Sequence, residues 1–330
     1  MAVELVRDVR SSLGYIEGDF QCLPLDIGSS EFHAFLRSQK NYDYVLNLSA
    51  LKHVRSEKDP FTLMRMIKVN IINTIELLKK FKNTEIKKYF CVSTDKATNP
   101  VNMMGASKKI METFLFDHDN KFDVSTARFA NVAFSDGSLL SGFEYRIKKN
   151  QPIAAPNDIK RFFVTEKEAG QLCLMSTIFG SNKEIYFPKE NNEIKLISFT
   201  TIVENYLKSK GLSMQICATE EEAREYLNTS SNKSIWPCYF FDSDTTGEKL
   251  YEEFYTSSEK INFDQYKNIG IVEYSNSNFT SLIKYEEFLS KLEKILISQH
   301  WEKQDLVDLF KKVLPDFNHE EKFKYLDQKM

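Results

Sequence analysis

Ser93-Thr94-Asp95-Lys96 and, a short way on, Met104-Gly105-Ala106-Ser107-Lys108 bring an acid, two lysines and several hydroxyls into one short stretch. The neighbours Asp95 and Lys96 can serve as acid and base in a single proton-transfer step. Lys108 follows Met104 at i+4, so on a helix the two share a face, and the lysine would reach toward a ribose and nearby hydroxyls. Each has a plainer reading: a turn aspartate, a surface lysine, a solvated lysine on an exposed helix. Spacing alone favours that reading of Lys108, and the polar strand end ahead of it reverses the preference.

A strand and a helix must position these groups. Lys88 to Val92 is a short apolar run of strand type, and Met104 to Asp117 reads as the helix that follows. Before them, Asp19 to Leu25 reads as a strand. Ser29 or Ser30 caps a helix running to Ser38. Tyr42 to Leu48 is a second strand, and Pro60 opens a long helix to about Phe81. Val124 to Phe129 follows as a fourth strand. This alternation predicts parallel βαβ units in a doubly wound α/β sheet, with ligands at the carboxyl ends of the strands. Farther on, Ser198 to Ser209 reads as a helix and Met214 to Ala218 as a strand, and Thr219 to Glu222 has the form of a capping box. Residues 229 to 283 read as a loop-heavy segment, and Lys284 to Phe317 as helix broken near Ser298-Gln299-His300.

The bulk properties exclude several classes. The 330 residues are 42% hydrophobic and 28% charged, with a formal net charge of -3, which gives no pull toward nucleic acid. The lysines Lys79, Lys80, Lys82, Lys87 and Lys88 read as a solvated helix end and turn. No run approaches the roughly 18 apolar residues of a membrane span, and the N-terminus is not a secretory signal. Five scattered cysteines point away from zinc and disulfides and toward a reducing cytoplasm. No metal site is expected.

These motifs carry a resemblance. Extended short-chain dehydrogenase/reductases place Ser or Thr at this strand end and Tyr-x-x-x-Lys on the next helix, where this chain has Met104-x-x-x-Lys108. The segment Ser93 to Ala97, with Asn99 to Lys108, closely resembles the nucleotide-sugar 4,6-dehydratases of bacterial polysaccharide biosynthesis. The likeness extends through Ala50 to Val54, Val69-Asn70, Ala127 to Val132, Lys160 to Thr165 and Gly247 to Glu253, covering about residues 18 to 255.

The resemblance implies an enzyme using NAD or NADP on nucleotide-linked N-acetylglucosamine. Lys96 would be the base at C5 and Asp95 the acid at C6. Because Met104 cannot deprotonate the C4 hydroxyl, that role falls to Thr94, Asp95 or a water held by Lys108. Asp26, Ile27, Ser49, Ala50, Lys52, Asn70, Ser93 and Lys108 would meet the cofactor. Lys52, His53, Asn131, Arg161 and Lys249 would meet the substrate. A homo-oligomer is expected. Two departures, Ser135-Asp136-Gly137-Ser138 and Thr245-Thr246 before Gly247, fall where the family carries arginines, so UDP and GDP both stay open.

A glycine-rich turn of the dinucleotide-binding kind, the usual holder of the pyrophosphate, is not found in these residues. The chain is therefore expected to be a Rossmann-like sheet lacking its first βαβ unit, with exposed sheet edges and weak NAD(P) binding. The expected organisation is a nucleotide-binding core over 1–135, an interleaved nucleotide-sugar-binding part of mixed α/β structure over 136–283, and a helical extension over 284–330. An NAD-dependent nucleotide-sugar epimerase and an inactive binding protein of the same fold are the alternatives.

Overall fold

Caps and apolar runs set the elements of the computed structural model, which describes residues 2–14, 20–39, 42–117, 120–190, 196–244, 246–247, 252–275, 280–319 and 321–324. The chain divides into two compact units, 1–41 and 42–330. The first unit carries helices α1 (Ala2–Leu13) and α2 (Ser30–Ser38). Ser29 Oγ caps α2 by accepting the Phe32 N–H at 3.1 Å. The strand expected from Asp19 to Leu25 does not form. Residues 20–25 are irregular, and the Leu25 N–H turns back onto the Leu23 carbonyl at 2.8 Å around Pro24, which has no N–H to give a ladder. Asp19 lies outside the described residues.

The second unit opens with β1 (Tyr44–Asn47) and a 3-10 turn over Val54–Glu57. Asp59 then caps α3 (Pro60–Ile67) by accepting from Phe61 and Thr62 N–H at 3.0 and 2.9 Å. A π-helical turn (Lys68–Ile72) carries α3 into α4 (Asn73–Phe81). Next come β2 (Lys88–Thr94), α5 (Met103–Asp117), β3 (Asp123–Phe129) and β4 (Asn131–Val132). They lead into α6 (Leu139–Lys148), β5 (Ile153–Pro156), β6 (Lys160–Arg161), β7 (Phe163–Val164) and α7 (Glu166–Phe179). The chain continues with β8 (Glu184–Pro188), β9 (Ile197–Ser198), α8 (Phe199–Ser209), β10 (Ser213–Cys217), α9 (Glu220–Thr229) and β11 (Ile235–Phe241). It closes with β12 (Lys260–Asn262), β13 (Ile269–Glu273), α10 (Thr280–Ser298) and α11 (Lys303–Val313).

Six strands form the main sheet in the order β1-β2-β3-β8-β13-β12. The first four run parallel, and β13 and β12 are added antiparallel. This is the expected Rossmann-like α/β architecture. Among the described residues no strand pairs with the outer edge of β1, where Tyr44 is 48% and Leu46 37% exposed. Strands β8, β12 and β13 join this sheet from the later part of the chain. A smaller parallel sheet, β10-β11-β5, packs with α6 and α8 around Phe143, Ile153, Val203, Leu207 and Cys238.

Two expectations are corrected here. The segment 229–283 holds three strands: β11 and β13 are mostly buried and lack the alternation that marks a half-exposed strand. Lys79, Lys80, Lys82 and Lys87 are exposed, but Lys88 is buried and donates to the Gly180 and Ser181 carbonyls, capping the end of α7.

Candidate active site

The end of β2 turns directly into a short 3-10 turn, Asp95–Ala97. Thr94 Oγ1 accepts the Lys96 N–H at 3.4 Å and donates to Asp95 Oδ1 at 2.7 Å. Lys96 Nζ donates to both Asp95 oxygens, at 3.1 and 3.2 Å. Asp95 is 2% exposed, whereas the Lys96 side chain remains partly open to solvent. Gly105 lets α5 pack against this turn: a Cβ there would overlap the Lys96 carbonyl.

Glu252 completes the cluster from a distant segment. It is 7% exposed and accepts from Asn131 Nδ2 and, at 2.7 Å, from the Phe162 N–H. Its Oε1 lies 3.5 Å from Arg161 Nε and 3.7 Å from Lys96 Nζ. Asn131 and Arg161, expected at the substrate, are thus brought to Lys96 by a residue that sequence reasoning did not single out. Burial and the like charge of Asp95 push the Glu252 carboxyl up to about 7, against the pull of Lys96, Arg161 and the Phe162 amide. Asn102 donates to the Gly247 carbonyl at 2.7 Å. Gly247 has φ +74°, and a Cβ there would meet Glu57 Oε1 at 2.6 Å.

The other expected residues separate into groups. Lys52 Nζ donates to Ser135 Oγ at 2.8 Å. The His53 ring packs under Gly137 (φ +68°) in the same loop. Burial, then Arg55 and Lys52, lower the His53 pKa. Asn70, on the π-helical turn, clamps Leu51: Oδ1 accepts its N–H at 2.9 Å and Nδ2 donates to its carbonyl at 3.0 Å. This fixes the Ser49-Ala50-Leu51 loop after β1, where the Ser49 N–H also donates to Asn47 Oδ1 at 3.1 Å. Met104 lies in the apolar cluster formed by α3, α5, α10 and α11. Asp26 and Ile27 belong to the first unit, where Asp26 Oδ1 accepts the Gly28 N–H at 2.7 Å. Lys249 lies outside the described residues.

Behind the cluster, Arg128 is wholly buried and forms paired contacts with Glu112 (3.0 and 2.9 Å) and Glu259 (3.0 and 2.8 Å). Burial opposes its charge, but the two carboxylates outweigh that and raise its pKa. Ser93 Oγ donates to Glu112 at 2.6 Å, so the end of β2 is tied to this ion cluster.

The residues fit the nicotinamide end of a dinucleotide. Lys108, 3% exposed, donates to the Val92 carbonyl at 3.0 Å, which uses one of its three ammonium protons. Burial lowers its pKa, against Cys91 and Glu112. The pyrophosphate end is not matched by a glycine-rich turn in this sequence.

Residues 22–274 match the family described as polysaccharide biosynthesis protein. A Methanocaldococcus jannaschii protein named as the uncharacterized membrane protein MJ1061 is 30% identical over 243 residues, covering 72% of this chain and 66% of its own length. The chain spans 32% of each of two bacterial polysaccharide biosynthesis proteins. Among solved structures, Pen from Bacillus thuringiensis superposes with a TM-score of 0.62 at 23% identity, over 81% of this chain and 76% of that one. A Bacillus cereus UDP-glucuronic acid 4-epimerase mutant, solved with NAD and a substrate analogue, gives 0.58 at 15% identity over 78% and 77%. Among the described residues no helix is long and apolar enough to cross a membrane.

Proposed function

The chain belongs to the polysaccharide biosynthesis protein family, and from that premise we propose that it is a nucleotide-sugar 4,6-dehydratase acting on nucleotide-linked N-acetylglucosamine. The observation that carries this reading is the hydrogen-bonded Asp95–Lys96 pair at the carboxyl end of β2. One proton shift across that contact yields a neutral acid beside a free amine, the pair that elimination of water requires.

When bound, a nicotinamide cofactor supplies reversible removal of hydride at sugar C4 and its return at C6. Lys96 takes the C5 proton, which a neighbouring C4 ketone makes acidic. Asp95 gives its proton to the C6 hydroxyl, which leaves as water while a C5–C6 double bond forms. Lys96, now the ammonium, returns a proton to C5 as hydride is delivered at C6, and the proton given up by the C4 hydroxyl on oxidation, relayed by water, restores the resting Asp95 carboxylate and Lys96 ammonium. Thr94 Oγ1 holds Asp95 in place for this exchange. Lys108 would orient the cofactor ribose, and Asn131 and Arg161 the sugar diphosphate.

A 4-epimerase of the same fold returns hydride to C4 and needs neither a C5 base nor a C6 acid, so it leaves the pair without work. The test is incubation with UDP- and GDP-N-acetylglucosamine at millimolar NAD+ or NADP+, with products followed by mass spectrometry. Loss of one water is expected, and Asp95→Asn and Lys96→Ala should each lower the rate by about 10²–10⁴-fold. Product retained in both variants removes the assignment, and a C4 epimer formed without water loss replaces it with the epimerase.

A further inference from the structure

Four charged side chains meet at the end of β2: Asp95, Lys96, Arg161 and Glu252. The Lys96 ammonium lies between two carboxylates, 3.1 Å from Asp95 and 3.7 Å from Glu252. Asp95 alone is enough for the proton exchange proposed above, which leaves Glu252 without a part in the reaction. Its position is nonetheless built. Asn131 Nδ2, from β4, and the Phe162 N–H, from the segment that also carries Arg161, fix its two oxygens, and the side chain is closed off from water. A buried carboxylate so placed is expensive unless it is paired or protonated.

We propose that Glu252 is a third carboxylate of the cluster, a positioning residue whose charge state decides whether Lys96 is held as a cation by one carboxylate or by two. Held by two, the ammonium keeps its proton and is a poor base. Held by one, it can pass that proton to Asp95. The groups facing Glu252 are Asp95 and Lys96 from the turn after β2, Arg161 and the Phe162 amide from β6 and the residue after it, and the Asn131 amide from β4. Burial and Asp95 bring its ionisation to about 7, so the cluster changes net charge near neutrality. The part assigned to Lys96 as base rests on the dehydratase reading, but its electrostatic coupling to Glu252 does not.

Glu252→Gln keeps the size of the side chain and an acceptor for the Phe162 N–H, and it cannot ionise. The amine of Lys96, partly open to solvent, can be acylated with acetic anhydride in the full chain between pH 6 and 9 and quantified by peptide mass spectrometry. In the wild type the labelling profile of Lys96 should carry an inflection near pH 7 that Glu252→Gln lacks. At pH 8 the variant should label at least about 5-fold faster, as expected for removing one negative charge at this distance even under strong screening. Superimposable profiles overturn the proposal. If the variant does not fold, the wild type decides alone, because a smooth profile without the inflection also overturns it. The dehydration assay fails separately: a labelling difference without water loss supports this coupling and removes the dehydratase reading, whereas water loss with unchanged labelling does the reverse.

Discussion

Arg128 holds more buried charge than any side chain that would touch substrate, and its two carboxylates reach it from α5 and from the segment just before β12. Replacing it by Met removes the cation to which both Glu112 and Glu259 are hydrogen-bonded, and leaves Glu259 with Lys109 alone, 3.8 Å away. The expected loss is about 3–5 kcal/mol of stability at pH 7 in urea unfolding, because a broken buried pair strands its partners. Glu252 predicts a dependence of the opposite kind. Its folded pKa of about 7 lies above the ordinary 4.5, so its contribution is fully present below about 4.5 and is lost as pH rises through 7. Glu252→Gln should therefore gain on the wild type between pH 5 and pH 8 by about 2–3 kcal/mol, read from unfolding midpoints at each pH. Asp95 and Lys96 were legible from sequence because adjacency at a strand end is itself a signal. Glu252 was not. It stands 121 residues from Asn131, and nothing in Glu252-Glu253 distinguishes the buried acid from the more exposed one beside it.

At the level of elements, punctuation read well and phase did not. The helix expected from Pro60 to Phe81 is there, opened by the Asp59 cap, but its middle widens into the π-helical turn Lys68–Ile72. Apolar spacing tolerates such a turn, so periodicity passes over it. The turn presents Asn70 to the backbone of Leu51 with both hydrogen-bonding ends of the amide, and to Ser107 Oγ at 3.0 Å. Asn70→Ala strips the Leu51 N–H and carbonyl of these partners at once. The expected cost is about 1–3 kcal/mol, with hydrogen exchange at the Leu51 amide accelerated well beyond that of amides in β2 and β3. Equal acceleration in those strands would mean global loosening, and the clamp would then be no more than a general contribution to packing. The strands β11 and β13 escaped the reading because burial removes the alternation on which strand recognition depends, and β11 also carries Pro237.

For the whole molecule, α5 shows how the turn after β2 is supported. Nearly all of its length is buried, because α10 and α11 add Phe288, Leu292, Leu306, Val307 and Phe310 to the cluster that already holds Leu63, Met66, Ile67 and Met104. Phe310→Ala opens a cavity there and should cost about 3–5 kcal/mol. Support of this kind steadies the acid–base end of the site but does nothing for the far end of a dinucleotide. Among the glycines of the sequence none forms the spaced triplet that lets a helix N-terminus meet a pyrophosphate, and among the described residues no strand pairs with the outer edge of β1. What the described residues offer the proposed cofactor is Lys108, the Asn70-clamped loop and the end of β2, which the proposed function puts at the nicotinamide side. Contacts there orient the cofactor, whereas the pyrophosphate cradle ordinarily supplies charge-assisted bonds and the helix dipole. These 330 residues should therefore bind NAD+ or NADP+ no more tightly than about 0.1 mM by calorimetric titration, and Lys108→Met should weaken even that. A micromolar dissociation constant that survives Lys108→Met would show that the cofactor is held by residues other than these.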